Sequence, residues 1–202
     1  MVLARTSKLQ AVNKALQMMG ESPLNSLQGL LGLGNLAEET LDSVSRKVQA
    51  EGWSFNTDYQ MTLTRDSTTN QISVGTNVSR VVVDPYEYYD VDVVQRGSRL
   101  YDRKNNTYVF DEDLTCNITY FRNFDEIPES ARRYINIRAA RVFVDRLVGD
   151  DGLRTYTAQD EARARANLME NDMDNADHNV LSGDPNLNNA MNTFTPADVL
   201  NR

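Results

Sequence analysis

The 202-residue chain predicts an α+β fold: a bundle of about four helices, an inserted antiparallel β region and an extended C-terminal tail. Three observations predict it. Apolar residues recur at helical spacing before residue 58 and again after residue 122. Between residues 59 and 121 the apolar period shortens to two, with β-branched runs divided by Asn-, Gly- and Pro-containing turns. From Ser182 onward the composition turns to Asn, Pro and small residues, with isolated Leu187, Met191, Phe194 and Leu200. These shifts divide the chain into a helical domain over 1–58 and 122–182, an inserted β domain over 59–121 and a tail over 183–202.

In residues 7–20, Leu9, Val12, Leu16 and Met19 fall on one helical face beside Ala11 and Ala15, and Gly20 is the stop. The following ESPLNSLQGLLGLGN is too broken for a helix and too apolar for an idle loop, which predicts an ordered connector packed on something. Asn35 is the expected cap of a second helix over 36–51, with Ala37, Leu41, Val44 and Val48 on its inner face. Gly52 ends it, and Trp53 is expected to plug the core at that end.

In the β region, Tyr59, Met61 and Leu63 alternate with polar residues, as do Leu114, Cys116, Ile118 and Tyr120, with two valine runs at 81–83 and 91–94. Residues 98–102 and 107–111 flank Lys104, Asn105 and Asn106, which predicts a hairpin with an Asn-rich turn. Residues 65–77 are polar enough for an exposed, mobile loop. DPYEYYD at 84–90 suits a protruding turn presenting Tyr86, Tyr88 and Tyr89 to a partner, or a packed turn.

The stretch from Phe124 to Gly149 opens with Asp125, Glu126, Pro128 and Glu129, suited to a first helical turn where carboxylates meet the positive helix end. Twelve apolar residues from Ile127 to Val148 leave almost no purely polar face, whereas an ordinary surface helix shows one apolar stripe of roughly 100°. This helix demands neighbours on more than one side. Arg132, Arg133, Arg138, Arg141 and Arg146 are threaded through it, either snorkelling to water or facing acidic or carbonyl groups of a subunit interface. After an acidic turn at 149–152, Thr157 with Asp160 resembles a capping box, and Ala158, Ala162, Ala166, Met169, Met173, Ala176 and Val180 form a narrow seam. Its alanines let another helix approach closely.

Composition excludes several functions. A formal charge of −8 and a pI near 4.7 argue against a protein that neutralises nucleic-acid phosphates. Cys116 is the sole cysteine, so no internal disulfide or cysteine metal cage is expected. The first residues lack an apolar signal region and no stretch approaches about 18 apolar residues, so neither a signal peptide nor a membrane span is expected. Folding in a cytoplasm follows, and the glycosylation patterns at Asn77, Asn105 and Asn117 carry no weight. No catalytic residue, cofactor site or metal site is predicted. The single histidine, His178, offers no triad, and Asp172, Asp174 and Asp177 lack the turn glycine and the final glutamate of a calcium loop. The pairs Glu126 with Glu129 and Asp111 with Asp113 have the minimum composition for a glycoside hydrolase, but Glu126 and Glu129 fit the helix dipole better.

Five segments in order, AVNKALQMMGESPLNSL at 11–27, EGWSFN at 51–56, LYDR at 100–103, FRNFDEIPESARRYI at 121–135 and the acidic region at 160–184, resemble the tail tubular protein A family. These are the head-to-tail adaptors of short-tailed phages of the autographivirus group. The resemblance covers about residues 7–185 and implies a structural virion protein assembled in the host cytoplasm. It implies a ring of twelve copies between the portal and the nozzle protein, tail tubular protein B, with DNA passing through unbound during ejection. Tail fibres are a further implied partner. On this reading Arg132, Arg138, Arg141, Arg146, Ala158, Ala162, Ala166 and Met169 belong to the intersubunit interface. Tyr86, Tyr88 and Tyr89 are then the partner-docking loop. A tail-borne cell-wall or polysaccharide hydrolase and a fibre-docking module are the rival expectations.

Overall fold

A computed structural model describes residues 4–85, 87–147 and 151–176, without the side chains of 151–157 and 176. Its elements are those of an α+β protein. Helix α1 spans Lys8–Met18, α2 Leu33–Gln49, α3 Glu129–Leu147 and α4 Asp151–Ala176. Between α2 and α3 lie β1 (Thr57–Leu63), β2 (Val78–Val83), β3 (Val93–Arg96), β4 (Arg99–Asp102) and β5 (Leu114–Tyr120). The helices share one hydrophobic core and the β region has its own.

α1 starts in a reciprocal capping box: the Gln10 amide donates to Ser7 Oγ at 3.3 Å, and the Ser7 amide donates to the Gln10 side chain at 3.0 Å. It buries Ala11, Val12, Ala15 and Leu16. The connector is held by Asn13, whose side chain accepts from Leu24 N at 2.7 Å and donates to Leu24 O at 2.9 Å, so Leu24 and Leu27 pack on the core as expected. α2 departs from expectation at its start. It begins after Gly32, at φ 59°, and Asn35 lies inside the first turn, donating to Glu39 at 2.9 Å. A left-handed glycine turns the chain where a polar cap was expected.

α3 packs against α1, α2 and α4, which explains its surplus of apolar faces. Tyr134, Ile135 and Phe143 are at most 1% exposed, each contributing about 1.5–3 kcal/mol by burial. Asp125 and Glu126 stand outside this helix, in a 3-10 turn over Phe124–Glu126, so only Glu129 occupies its acidic first turn. α4 begins at Asp151, ahead of the Thr157–Asp160 capping box, which therefore lies within the helix.

Two side chains tie the bundle to the sheet where the chain crosses between them. Asn56, fully buried, donates to Gln49 O at 2.9 Å and Tyr120 O at 2.7 Å and accepts from Trp53 N at 2.9 Å. Gln49, 1% exposed, donates to Arg122 O at 3.0 Å and accepts from Arg122 N at 2.7 Å. Trp53 plugs the end of α2, with its indole N–H on Val48 O at 2.8 Å. Gly52 beside it has φ 81°, and a Cβ there would stand 2.6 Å from a guanidinium nitrogen of Arg80. The arginine tip can shift, so the left-handed backbone is the larger obstacle. Gly52→Ala should cost about 1–2 kcal/mol, read as a lowered urea midpoint; an unchanged midpoint would show that the turn relaxes freely.

The three-stranded sheet has the order β1-β5-β2, antiparallel throughout, and β3 pairs with β4. The Thr57–Thr119 pair sets entry strand beside exit strand. A bulge between Asp58 and Met61, with Gln60 at φ 52°, leaves Tyr59 and Met61 48% and 43% exposed despite their alternation. The hairpin lies one strand earlier than expected. β3 and β4 are joined through Gly97, at φ 64°, and Ser98, whereas the 102–107 segment forms only one isolated bridge. Asp102 is the reason: its carboxylate accepts from Asp92 N, Lys104 N and Asn105, holding a compact loop instead of a ladder. The polar stretch 65–77 is also not an idle loop, since Ile72 and Val74 are buried and Ile72 O accepts from Leu100 N at 2.9 Å.

Cys116 is 2% exposed, its thiol faces Met61 O at 3.5 Å, and burial pushes it up to about 11. Thiol reagents should therefore label the native protein only at the rate of unfolding. Because the folded value is raised, this contribution to stability is intact below the free thiol value of 9.0 and is lost as pH rises through about 11. Rapid native labelling at pH 8, followed in an absorbance assay, would contradict this burial.

Candidate subunit interface

The arginines of α3 have different fates. Arg132 is 4% exposed and donates to Ile127 O and Thr6 O, each at 2.8 Å, and to Asp125 O. Three of its five N–H groups are spent on carbonyls inside the subunit, because the turn before α3 and the N-terminal segment leave those carbonyls with no helical partner. Arg138 donates to Tyr134 Oη at 2.7 Å and lies 3.7 Å from Glu161. Arg141 bonds Glu161 and lies 3.5 Å from Asp145, and the bond to Glu161 raises its already high pKa further. Arg165 reaches across from α4 to Glu51 at 3.1 Å and Tyr134 Oη at 3.3 Å. These partly exposed ion pairs contribute little singly, about 0–1 kcal/mol each, and together they fasten α4 along α3. Ser54 adds a clasp at the far end, its N and Oγ both donating to Asp172, at 2.8 and 2.6 Å. Arg146 is exposed and reaches Thr40 Oγ1 at 3.5 Å, and Arg133 is exposed with no ion pair among the described residues.

α4 is apolar on two sides and only one is used. Ala164 and Leu168 are 4% and 1% exposed against α3. Ala158, Ala162, Ala166, Met169 and Met173 lie on a different face and are exposed, the two methionines at 42% and 60%. The expected seam therefore exists but does not serve the subunit's own bundle. Its neighbours in sequence make the difference: Glu161, Arg165 and Asp172 turn toward Arg138, Glu51 and Ser54 and rotate the seam outward.

The sequence model of one family, described as Tail tubular protein, matches residues 9–178. The chain belongs to this family. It is thus a structural protein of a phage tail, and the match spans the bundle, the β region and the described length of α4. No curated protein matches the sequence.

In this tail tubular protein the expected interface residues separate by role. Ala158, Ala162, Ala166 and Met169 stand on an open face, Arg146 is exposed, Arg138 and Arg141 are half-exposed within the α3–α4 network, and Arg132 is interior. Of the docking tyrosines, Tyr89 is 76% exposed, whereas Tyr88 is 7% exposed and its hydroxyl accepts from Thr115 N at 2.9 Å. Tyr88 is thus a packing residue, and Tyr86, like Val180, His178 and the tail after Asp177, lies outside the described residues. Asp172 and Asp174 are helical, and no group of three metal-ligating side chains occurs among the described residues.

The carboxylates also have structural employment. Glu126 accepts from Asn123 N and Nδ2 at 3.2 and 3.0 Å, and those bonds hold its carboxyl below the usual range, opposite to the shift of a proton donor. Glu129 accepts from Thr6 N and Oγ1 at 2.8 and 2.6 Å, tying the N-terminal segment to α3. Sequence reasoning missed Gln49, Asn56 and Asn136, three buried amides whose neighbours in sequence mark them as ordinary surface residues.

Proposed function

We propose that copies of this tail protein close into a ring that joins the portal to the nozzle protein and forms part of the conduit for DNA. The observation that carries this reading is the second apolar face of α4. An exposed row of three alanines and two methionines on a helix already packed by its other side is an unusual thing to leave in water, and it fits a second helix at close range. Head-to-tail repetition of such a contact closes into a ring of twelve, the number that the family resemblance implies. The acidic balance supports the conduit: twelve chains of charge −8 carry roughly a hundred negative charges, which repel a passing phosphate backbone. Exposed Tyr89 is the available fibre contact in the β region.

The double change Ala162→Glu and Ala166→Glu tests the reading. Monomer helicity and melting should stay as they are, since both side chains are exposed, while particles carrying the change should lack tails in electron micrographs. Normal tails on such particles would overturn the assignment of this face.

A further inference from the structure

The β region carries an unbalanced charge pair. On the β3–β4 hairpin, Val94, Arg96, Arg99 and Tyr101 share one face, turned away from buried Val93 and Leu100. In the hairpin register Arg96 stands directly opposite Arg99, beside the turn through Gly97 and Ser98. Like charges in that position weaken a hairpin. Neither arginine has a carboxylate partner among the described residues, although residues 57–121 hold ten acids to six bases. Their neighbours Arg103 and Lys104 do find one, in Asp92 at 2.8 Å and Asp90 at 3.0 Å. What holds the two unpaired guanidiniums is aromatic. Arg96 Cζ lies 3.6 Å from the centre of the Tyr101 ring and Arg99 Cζ 4.7 Å from that of Tyr108, and the two rings meet edge to face at 4.8 Å. A guanidinium over a ring keeps its N–H edge for hydrogen bonds. Arg99 spends one N–H on Gln71 Oε1 at 2.8 Å, and the Arg96 side chain spends none among the described residues. Both are exposed, so two fixed cations face outward with donors unused.

We propose that this outer face of the hairpin docks another protein of the tail, through a segment of that protein that presents two carboxylates to Arg96 and Arg99. Charge complementarity selects the partner. Planar N–H edges grip carboxylates in pairs, and an acid placed between the arginines turns their repulsion into attraction. Tyrosine and arginine are, besides, the residues on which protein interfaces most often depend. DNA fits less well, since two cations in an acidic region offer no track for a phosphate backbone. The choice of a different protein over a second copy rests on the ring reading, which joins copies through α4 in the bundle, whereas the hairpin belongs to the separate β core.

Photocross-linking in assembled particles decides it. Val94→p-benzoylphenylalanine puts the reactive group on this face and leaves both arginines in place. Irradiation should join the chain to a different tail protein, and mass spectrometry should find at least two Asp or Glu residues in the joined peptide. Adducts only with second copies, only with DNA, or only with peptides free of acids would overturn the proposal, as would no adduct in particles whose tails are complete. None of these outcomes touches the ring reading, which is decided by micrographs of the α4 variant. Arg96→Glu then supplies the missing acid from within, opposite Arg99. The urea midpoint of the purified chain should hold or rise, while the cross-linked yield falls about tenfold. Arg96→Lys keeps the charge but loses the planar fork, and should give an intermediate yield. Undiminished yield from Arg96→Glu would overturn the role of the arginine pair. A midpoint lowered as far as by Tyr101→Ala would make Arg96 a packing residue of the hairpin and overturn it equally.

Discussion

Arg132→Met should destabilise the subunit by about 3–5 kcal/mol, as a lowered urea midpoint followed by circular dichroism. The side chain is 4% exposed and serves three backbone carbonyls, Thr6, Asp125 and Ile127. Methionine fills much of the same volume but leaves Ile127 O unpaired inside the core, where a buried orphan costs about 1–3 kcal/mol, and ends the two part-buried bonds to Thr6 O and Asp125 O. Against a typical domain stability of 5–15 kcal/mol this is a large fraction. Arg132→Lys should recover less than half, because one ammonium cannot serve three acceptors held apart in a guanidinium's plane. Arg133→Met, one residue along and exposed, should stay within about 0.5 kcal/mol. If the Arg132 and Arg133 variants unfold alike, the carbonyl cluster does not hold the N-terminal segment to α3.

Asn56→Leu should cost about 3–4 kcal/mol, since the change is nearly isosteric and removes two donated hydrogen bonds and one accepted bond at a fully buried site. Gln49→Met strikes the same node from α2 and leaves Arg122 N and O without their partner. The two sites touch through Gln49 O, so the double variant should lose clearly less than the sum of the singles. Additive losses in a double-mutant cycle would show two independent contacts rather than one connected node.

α1 and α2 were legible because their apolar positions obey the helical period and pack on the expected side, and α3 because apolar residues all round it demanded the several neighbours it has. Trp53 was legible for the same reason: a lone indole after a helix-ending glycine has few other uses. The errors have physical causes. α2 starts early because Gly32 supplies the left-handed turn itself, so the capping residue sought at Asn35 was unnecessary. The hairpin was misplaced because Asn105 and Asn106 invite a turn, while Gly97 with Ser98 makes the shorter one that fits the ladder. Ile72 and Val74 alternate with Gln71 and Ser73, a two-residue signal too brief to outweigh its polar surroundings. The orientation of α4 could not be read from its own seam, because polar residues between the alanines fix which face turns inward. Asn56 and Gln49 carry no pattern at all. Their role depends on the chain returning beside them some seventy residues later, which no local window contains.

That return has a further meaning. Since Thr57 faces Thr119 directly above the buried amides, the bundle sees everything between them as though it were one tight turn. A lineage can therefore rewrite strands and loops while inheriting its helices unchanged. Replacing residues 58–118 with a foreign hairpin of matching end spacing is the laboratory version of that exchange.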